Sequence, residues 1–271
     1  MQSTLLNDVK YLSSDSMKGR KVGTPENHSA ALFIAVRFKS LHLKSFSKDY
    51  LDSFTYTNRN NQQITGANVL AYLPGNTDSV IVISAHFDHL GVKKGEIYNG
   101  ADDNASGTAG LLSMAAYFSK HKPHHTLLFA AFDAEEEGLM GSDAFVAHPP
   151  VSLQKIIVDL NMDMISHNDK GELYVCGTFR YPQLKQYLVA GFKSAKLLTG
   201  HDDPKLGNDD WTDQSDQGSF YKKNIPFLYF GVEDHKDYHK PTDDYENINQ
   251  GFFTDAAEAI KQTVIKIDTH L

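Results

Sequence analysis

The apolar positions of this chain fall into two alternating kinds of run. Residues 80–83, Val-Ile-Val-Ile, are apolar without a break, as a strand buried on both faces requires, and the run continues to His86 and Asp88. Residues 126–131 (Thr-Leu-Leu-Phe-Ala-Ala) and 156–165 (Ile-Ile-Val-Asp-Leu-Asn-Met-Asp-Met-Ile) predict two further strands, and 172–176 and 226–230 two more. Residues 45–57 and 64–73 alternate well enough for a strand each, with Asn58-Arg59-Asn60-Asn61 turning between them. Elsewhere the period is close to 3.6. Thr24-Pro25-Glu26-Asn27 reads as an N-cap with proline at the first helical position, and Ala31, Ile34, Ala35, Phe38 and Leu41 mark the helix it opens. Helices are also predicted over 104–119, 139–147 and 218–223, and over the amphipathic set Leu184, Tyr187, Leu188 and Phe192. A closing helix carries Phe253, Ala256, Ala257, Ile260, Val264 and Ile267, and residues 4–12 are weakly helical. Residues 13–25, 89–100 and 199–216 read as exposed loops. Strands alternating with helices imply an α/β sheet with helices on both faces. No repeat or linker divides the chain, so one domain is expected over residues 1–271.

Composition narrows the function. A chain of 271 residues, 41% hydrophobic, can bury one large core. The formal net charge is -8, with arginine only at positions 20, 37, 59 and 180. With no basic run, nucleic acid and anionic membranes are poor partners. The lone Cys176 rules out an intrachain disulfide and a cysteine-based zinc site, and it reads as an ordinary strand end. No apolar stretch reaches the length of a membrane span. The opening residues Met1-Gln2-Ser3-Thr4 lack the basic-then-apolar order of a signal peptide.

The polar residues at the strand ends change the picture most. Ligands of open α/β sheets sit at the carboxyl ends of the strands. Three apolar strands end in His86 and Asp88, in Glu135 and Glu136, and in Asp163, and an acidic glycine-rich loop, Asn99 to Gly107, enters a helix. Another histidine lies in Asp237-Tyr238-His239-Lys240-Pro241-Thr242-Asp243. Taken singly, each has a structural explanation: a strand-end histidine paired with a carboxylate, a helix cap at Asp102, Asp103 or Asn104, an acidic first turn. Asp163, between Met162 and Met164, is harder to explain, because an unpaired carboxylate there is costly. Together, carboxylates converging on one sheet edge repel unless cations neutralise them. Two imidazoles and three carboxylates form a nitrogen/oxygen ligand set that suits zinc, or less often manganese or cobalt. Three carboxylates against two dications leave about one positive charge, which a hydroxide cancels, so the balance favours two metals. Asp102 or Asp103, Asp159 or Asp163, and His235 or His239 stay open on this reasoning alone.

The ordered set His86-x-Asp88, Gly100-Ala101-Asp102-Asp103-Asn104-Ala105-Ser106-Gly107, Glu135-Glu136-x-Gly138-Leu139-x-Gly141-Ser142, Asn161-Met162-Asp163-Met164 and Tyr238-His239-x-Pro241-Thr242-Asp243 resembles the M28 zinc metallopeptidases. The stretch Leu12 to Thr24, with Lys18-Gly19-Arg20, is similar to the N-terminal approach of bacterial members. The resemblance implies a three-layer α/β/α domain with a central mixed, mostly parallel sheet, as in zinc exopeptidases. It further implies two zinc ions bridged by Asp103 and a water or hydroxide, with His86 and Asp163 completing one site and Glu136 and His239 the other. Asp88 would hydrogen-bond His86 and fix its tautomer, Glu135 would be the general base, and Tyr238 would stabilise the oxyanion. The Asp103–Asn104 peptide would be cis. His89, His121, His124, His125 and His201 are left as surface or structural.

The activity so implied is removal of N-terminal residues from peptide substrates. A carboxypeptidase or a glutaminyl-cyclase-like enzyme of the same fold is the alternative. A carboxypeptidase needs a cationic clamp; only Arg180 looks placed to help, and it reads rather as a surface residue. A non-catalytic binding homologue is a third reading, disfavoured because every ligand position is filled. One departure is Gln217 in Ser215-Asp216-Gln217-Gly218-Ser219-Phe220, where relatives often carry histidine; it leaves the side-chain preference open. Relatives with leaders are mostly exported, so an exported protein with its leader removed is expected, with a cytoplasmic location still open.

Overall fold

A computed structural model describes residues 2–271. Met1, which the domain reading and the leader reading both include, lies outside the described residues. The helices are α1 (Gln2–Leu12), α2 (Pro25–Ser40), α3 (Gly107–Phe118), α4 (Met140–Ala147), α5 (Gln217–Tyr221) and α6 (Gln250–His270). The strands are β1 (Leu51–Thr57), β2 (Gln63–Leu73), β3 (Val80–His86), β4 (Gly91–Lys93), β5 (Glu96–Tyr98) and β6 (Thr126–Phe132). They continue with β7 (Ile156–Met162), β8 (Glu172–Cys176), β9 (Gly191–Phe192), β10 (Ala195–Thr199) and β11 (Phe227–Gly231).

Nine strands form one mixed sheet in the order β1-β2-β6-β3-β7-β11-β8-β10-β9. The central strands β6, β3, β7 and β11 run parallel, and antiparallel pairs flank them. Continuous apolar runs suit strands covered on both faces. Ile81, Ile83 and Ala85 of β3 point into a core shared with α1, α2, α3 and α6. Val80 and Val82 point the other way, towards Phe145 of α4 and Phe220 of α5. The three-layer α/β/α arrangement follows from that alternation. The carboxyl ends of β3, β6 and β7 therefore lie side by side, and His86, Glu135, Glu136 and Asp163 arrive at one edge. Among the described residues, no helix is long and apolar enough to cross a membrane.

Several elements differ from the sequence reading. The helix expected from Asn104 begins at Gly107, because the Asn104 side chain occupies its own start: Oδ1 accepts from Gly107 N (2.8 Å) and Met164 N (3.2 Å), and Nδ2 donates to Met162 O (2.9 Å). The Asp103–Asn104 peptide is cis, as the resemblance implied. The amphipathic helix expected around 184–192 is a single tight turn, Pro182–Tyr187, followed by a hairpin of β9 and β10. Gly191, at φ 117°, breaks the helical pattern; a Cβ there would meet Ala195 O at 2.4 Å. The polar loop after His89 contains the small hairpin of β4 and β5, turned by Lys94 and Gly95 at positive φ. Residues 45–50 lie outside any strand.

The stretch 13–25 is not the plain exposed loop expected, because Arg20 is wholly buried. Its guanidinium donates to Leu12 O at the end of α1 (2.7 Å), Phe87 O beyond β3 (2.8 Å), Gly100 O (3.0 Å) and Asn99 O. Burial lowers its pKa to about 10, against the opposing pull of Asp103, Asp243, Asp88 and Glu136, so it stays charged at neutral pH. One side chain thus ties the N-terminal helix to the two segments that carry the acidic edge. Arg20→Met leaves these carbonyls without their donor, and we expect a loss of about 3–5 kcal/mol in urea unfolding of the metal-free protein. An unchanged urea midpoint would show that the tie carries no stability.

Candidate metal centre

The turn after β5 delivers Asp103. Its backbone is held by Asp243, whose carboxylate oxygens accept from Asp102 N (2.9 Å) and Asp103 N (3.0 Å). Asp103 is 4% exposed, and its two oxygens point in different directions. Oδ1 lies 3.4 Å from His86 Nε2, and Oδ2 lies 3.1 Å from His239 Nε2. His86 Nε2 is also 3.2 Å from Asp163 Oδ1, and His239 Nε2 is 3.4 Å from Glu136 Oε2. Two groups, His86–Asp163 and His239–Glu136, thus meet through one shared carboxylate. Ligand atoms about 2.0–2.1 Å from a tetrahedral cation are about 3.3 Å apart. The four observed separations lie close to that spacing, and the donors are the nitrogen and oxygen set that zinc accepts, so the residues fit two cations with Asp103 between them.

The electrostatics agree. Burial works against charge on His239, but the Asp103 and Glu136 carboxylates outweigh it and raise its pKa to about 10. His86 is likewise raised well above 6.5, by Asp163 and Glu135 against its own burial. Burial also raises Glu136, but the His239 and His89 imidazoles prevail and hold it below the usual carboxylate range. The carboxylates thus hold both imidazoles, His86 and His239, towards the protonated form.

Glu135 and Glu136 follow β6 in a turn opened by Ala134 at φ 57°. The Asp88 carboxylate accepts from Glu135 N (3.0 Å) and Glu136 N (3.4 Å). Towards His86 it is less direct than expected: Nδ1 lies 3.2 Å from the Asp88 backbone carbonyl and 3.6 Å from the carboxylate. Asp88 therefore aims the glutamate pair as well as the imidazole. Glu135 is held well above the carboxylate range, first by burial and then by Asp163, Asp216 and Glu136, with His86 opposing. Glu135, Glu136, Asp103, Asp163, Tyr238 and His239 all line one cavity of about 390 Å³, together with Arg59, Trp211, Asp213 and Asp234. The Tyr238 ring stacks on His239 with centroids 4.0 Å apart, and burial pushes its hydroxyl up, beyond the usual tyrosine range.

The near neighbours separate cleanly. Asp102 points away from the cavity, accepting from Ser166 N (2.6 Å) and Ser166 Oγ (2.8 Å) and facing His235 Nε2 (3.0 Å). Asp159 lies beneath, bonded to Ser84 Oγ (2.8 Å), and burial holds it well above the carboxylate range. His167, His235 and Asp237 also cluster. Both ring nitrogens of His235 are already engaged, by Asp102 and by Asp237 N at 3.2 Å, so that group braces the turn. Gln217 is buried under the cavity wall, accepting from Asn161 Nδ2 and donating to Trp211 O.

Two sequence readings become more specific. Arg180 does not face the cavity, as expected of a residue discounted as a clamp, but it is engaged with Thr212, Tyr221 and Asp210, and Arg59 is the arginine on the lining. Of the surface and structural readings of His89, burial decides for the second: it is 1% exposed, with Nδ1 2.8 Å from Glu136 Oε1. Its position one residue beyond Asp88 was the available signal. Asp243 stood in a quoted motif without a role, and its part emerges only from the fold.

Comparison with known proteins bears on these features. Aminopeptidase YwaD of Bacillus subtilis is 27% identical over 270 residues, covering 92% of this chain and 52% of its own length. The alkaline phosphatase isozyme conversion protein of Escherichia coli is 27% identical over 188 residues, covering 63% of this chain and 53% of its own. The chain thus spans about half the length of these curated relatives. Among solved structures, a zinc aminopeptidase from Bacillus subtilis superposes with a TM-score of 0.77 at 18% identity, over 97% of this chain and 94% of that one. A glutaminyl cyclase from Porphyromonas gingivalis gives 0.76 at 16%, over 100% and 99%. At such identities these two establish the zinc-exopeptidase fold alone. The model of peptidase family M28 matches residues 68–264, which takes in all five predicted ligands, and the chain belongs to that family.

Proposed function

We propose that this protein is an aminopeptidase that holds two zinc ions and hydrolyses the first peptide bond of a substrate with a free N-terminus. The observation that carries the reading is Asp103, with one oxygen towards His86 and the other towards His239. His86, Asp103 and Asp163 would hold one ion, and Asp103, Glu136 and His239 the other. When bound, the ions would lower the pKa of a water and polarise the scissile carbonyl.

The chain's own residues do the rest. Glu135 lines the cavity beside both groups, with Oε2 3.9 Å from His86 Nε2. Its raised affinity for a proton suits a group that takes one from the attacking water and returns it to the leaving amine. Neighbouring dications favour its ionised form and bring it back towards the working range. Asp88 fixes the backbone of Glu135 and Glu136 together, which keeps base and ligand in register. The Tyr238 phenol, protonated at neutral pH, is a donor to developing negative charge on the substrate carbonyl oxygen.

The cavity also favours one end of the substrate. With Asp103, Glu136 and Asp163 taken up as ligands, Glu135, Asp213 and Asp234 still line it, against Arg59 as the one arginine. An N-terminal ammonium is drawn into such a site, and a C-terminal carboxylate is repelled. The test is a panel of aminoacyl-p-nitroanilides, their N-acetylated forms, C-terminal peptides and peptides beginning with glutamine, offered to zinc-loaded protein. Hydrolysis of free aminoacyl anilides alone is expected. Cyclisation of glutaminyl peptides without hydrolysis, or release from the C-terminus, would overturn the reading.

Glu135→Gln should retain two zinc ions, with each dissociation constant within about threefold, and lose about 10²–10⁴-fold in kcat. Full turnover in that variant would remove Glu135 from the mechanism. Zinc affinity should also rise with pH. His239, raised from 6.5 to about 10, holds a proton that a cation must displace. Its contribution to the stability of the metal-free fold is complete below about 6.5 and fades as pH rises through about 10. Chelator competition between pH 6 and pH 8 should show affinity rising by about tenfold per pH unit for each ion. A flat profile would mean that the imidazoles are not the groups displaced.

A further inference from the structure

We infer that His89 is a positioning residue for Glu136, holding the carboxylate by one oxygen so that the other is presented beside His239 and Asp103. The inference rests on the two-zinc reading. Glu136 is divided between two imidazoles: Oε2 lies 3.4 Å from His239 Nε2, and Oε1 lies 2.8 Å from His89 Nδ1. These distances mean different things. A separation of 3.1–3.4 Å, seen for His239 against Asp103 and Glu136, suits two atoms sharing one cation, whose ligand atoms are about 3.3 Å apart. His89 Nδ1 approaches Glu136 Oε1 to 2.8 Å, closer than that spacing and within ion-pair range, but the two are not aligned as a hydrogen bond, and both atoms stand without a hydrogen-bond partner. Carboxylates that ligate a metal are commonly fixed by a donor on their free oxygen.

The imidazole is held as a positioning group must be. Its side chain is 0% exposed. It packs on Gly100, at φ 58°, where a Cβ would lie 2.6 Å from the ring's Cγ and Cδ2. Arg20 fastens both sides of this packing: its guanidinium donates to Phe87 O and Gly100 O, and its own carbonyl accepts from His89 N at 3.4 Å. The ring is therefore clamped between the end of β3 and the turn that carries Asp103. Asp103 Oδ2 stands 3.7 Å from the same Nδ1, so Glu136 is the nearer of the two carboxylates that face it.

The test compares wild type, His89→Ala and His89→Asn, each metal-stripped and titrated with zinc against a chromophoric chelator. The visible spectra of the cobalt-loaded forms serve as a second readout. Asparagine places an amide N–H close to where Nδ1 stood, whereas alanine leaves no donor. In His89→Ala, one of the two dissociation constants should rise about 10–100-fold and the other change by less than about threefold. His89→Asn should recover the weakened constant to within about threefold of wild type, and only one cobalt environment should alter in the alanine variant. The inference is overturned if His89→Ala leaves both constants unchanged, or if His89→Asn binds as weakly as alanine. Failure of the two-zinc reading shows separately, as wild type that takes up fewer than two ions.

Discussion

Carboxylates crowded around one cavity at the edge of the sheet are the constraint on which this structure depends. Asp103, Glu135, Glu136 and Asp163 cannot all be ionised at the edge of the sheet without positive charge among them. His86 and His239 face these carboxylates, which draw both imidazoles towards their protonated forms, and Arg20 lies beneath them. Two dications at the same places would satisfy the same constraint, with the carboxylates as ligands. One arrangement of side chains thus serves the folding of the chain and the chemistry proposed for it.

The fold contributes order at a distance. Parallel β3, β6 and β7 bring three strand ends to one edge, while Asp103 and His239 come from turns that the sheet does not position directly. Hydrogen bonds position them instead: Asp243 holds the amides of Asp102 and Asp103, Asn104 anchors to Met162 and Met164, and Asp102 is fixed by Ser166 and His235. These contacts set whether Asp103 can face two ways at once.

Much of this was legible in the chain. Unbroken apolar runs at 80–83 and 126–131 are unambiguous for buried strands, and polar groups at their ends are costly enough to call for a partner. The five predicted ligand positions follow from motif order, and the structure sets His86 and His239 within 3.4 Å of the two oxygens of Asp103, with Asp163 and Glu136 beside them. What was not legible depends on contacts distant in sequence. Arg20 lies in a polar stretch that reads as exposed, and nothing local shows that four carbonyls surround it. His89 lies among many histidines, and only its distance to Glu136 distinguishes it. The hairpin at 191–199 failed for a different reason: a short apolar run fits either period, and Gly191 decided it.

The central claim is that one carboxylate serves two cations, and Asp103→Ala tests it most directly. Zinc bound per chain should be counted by competitive titration in wild type and in this variant, with the unfolding curves of the metal-free proteins measured alongside. The account requires two ions in wild type and weakened binding of both in the variant. An Asp103→Ala protein that keeps one zinc at wild-type affinity would contradict it.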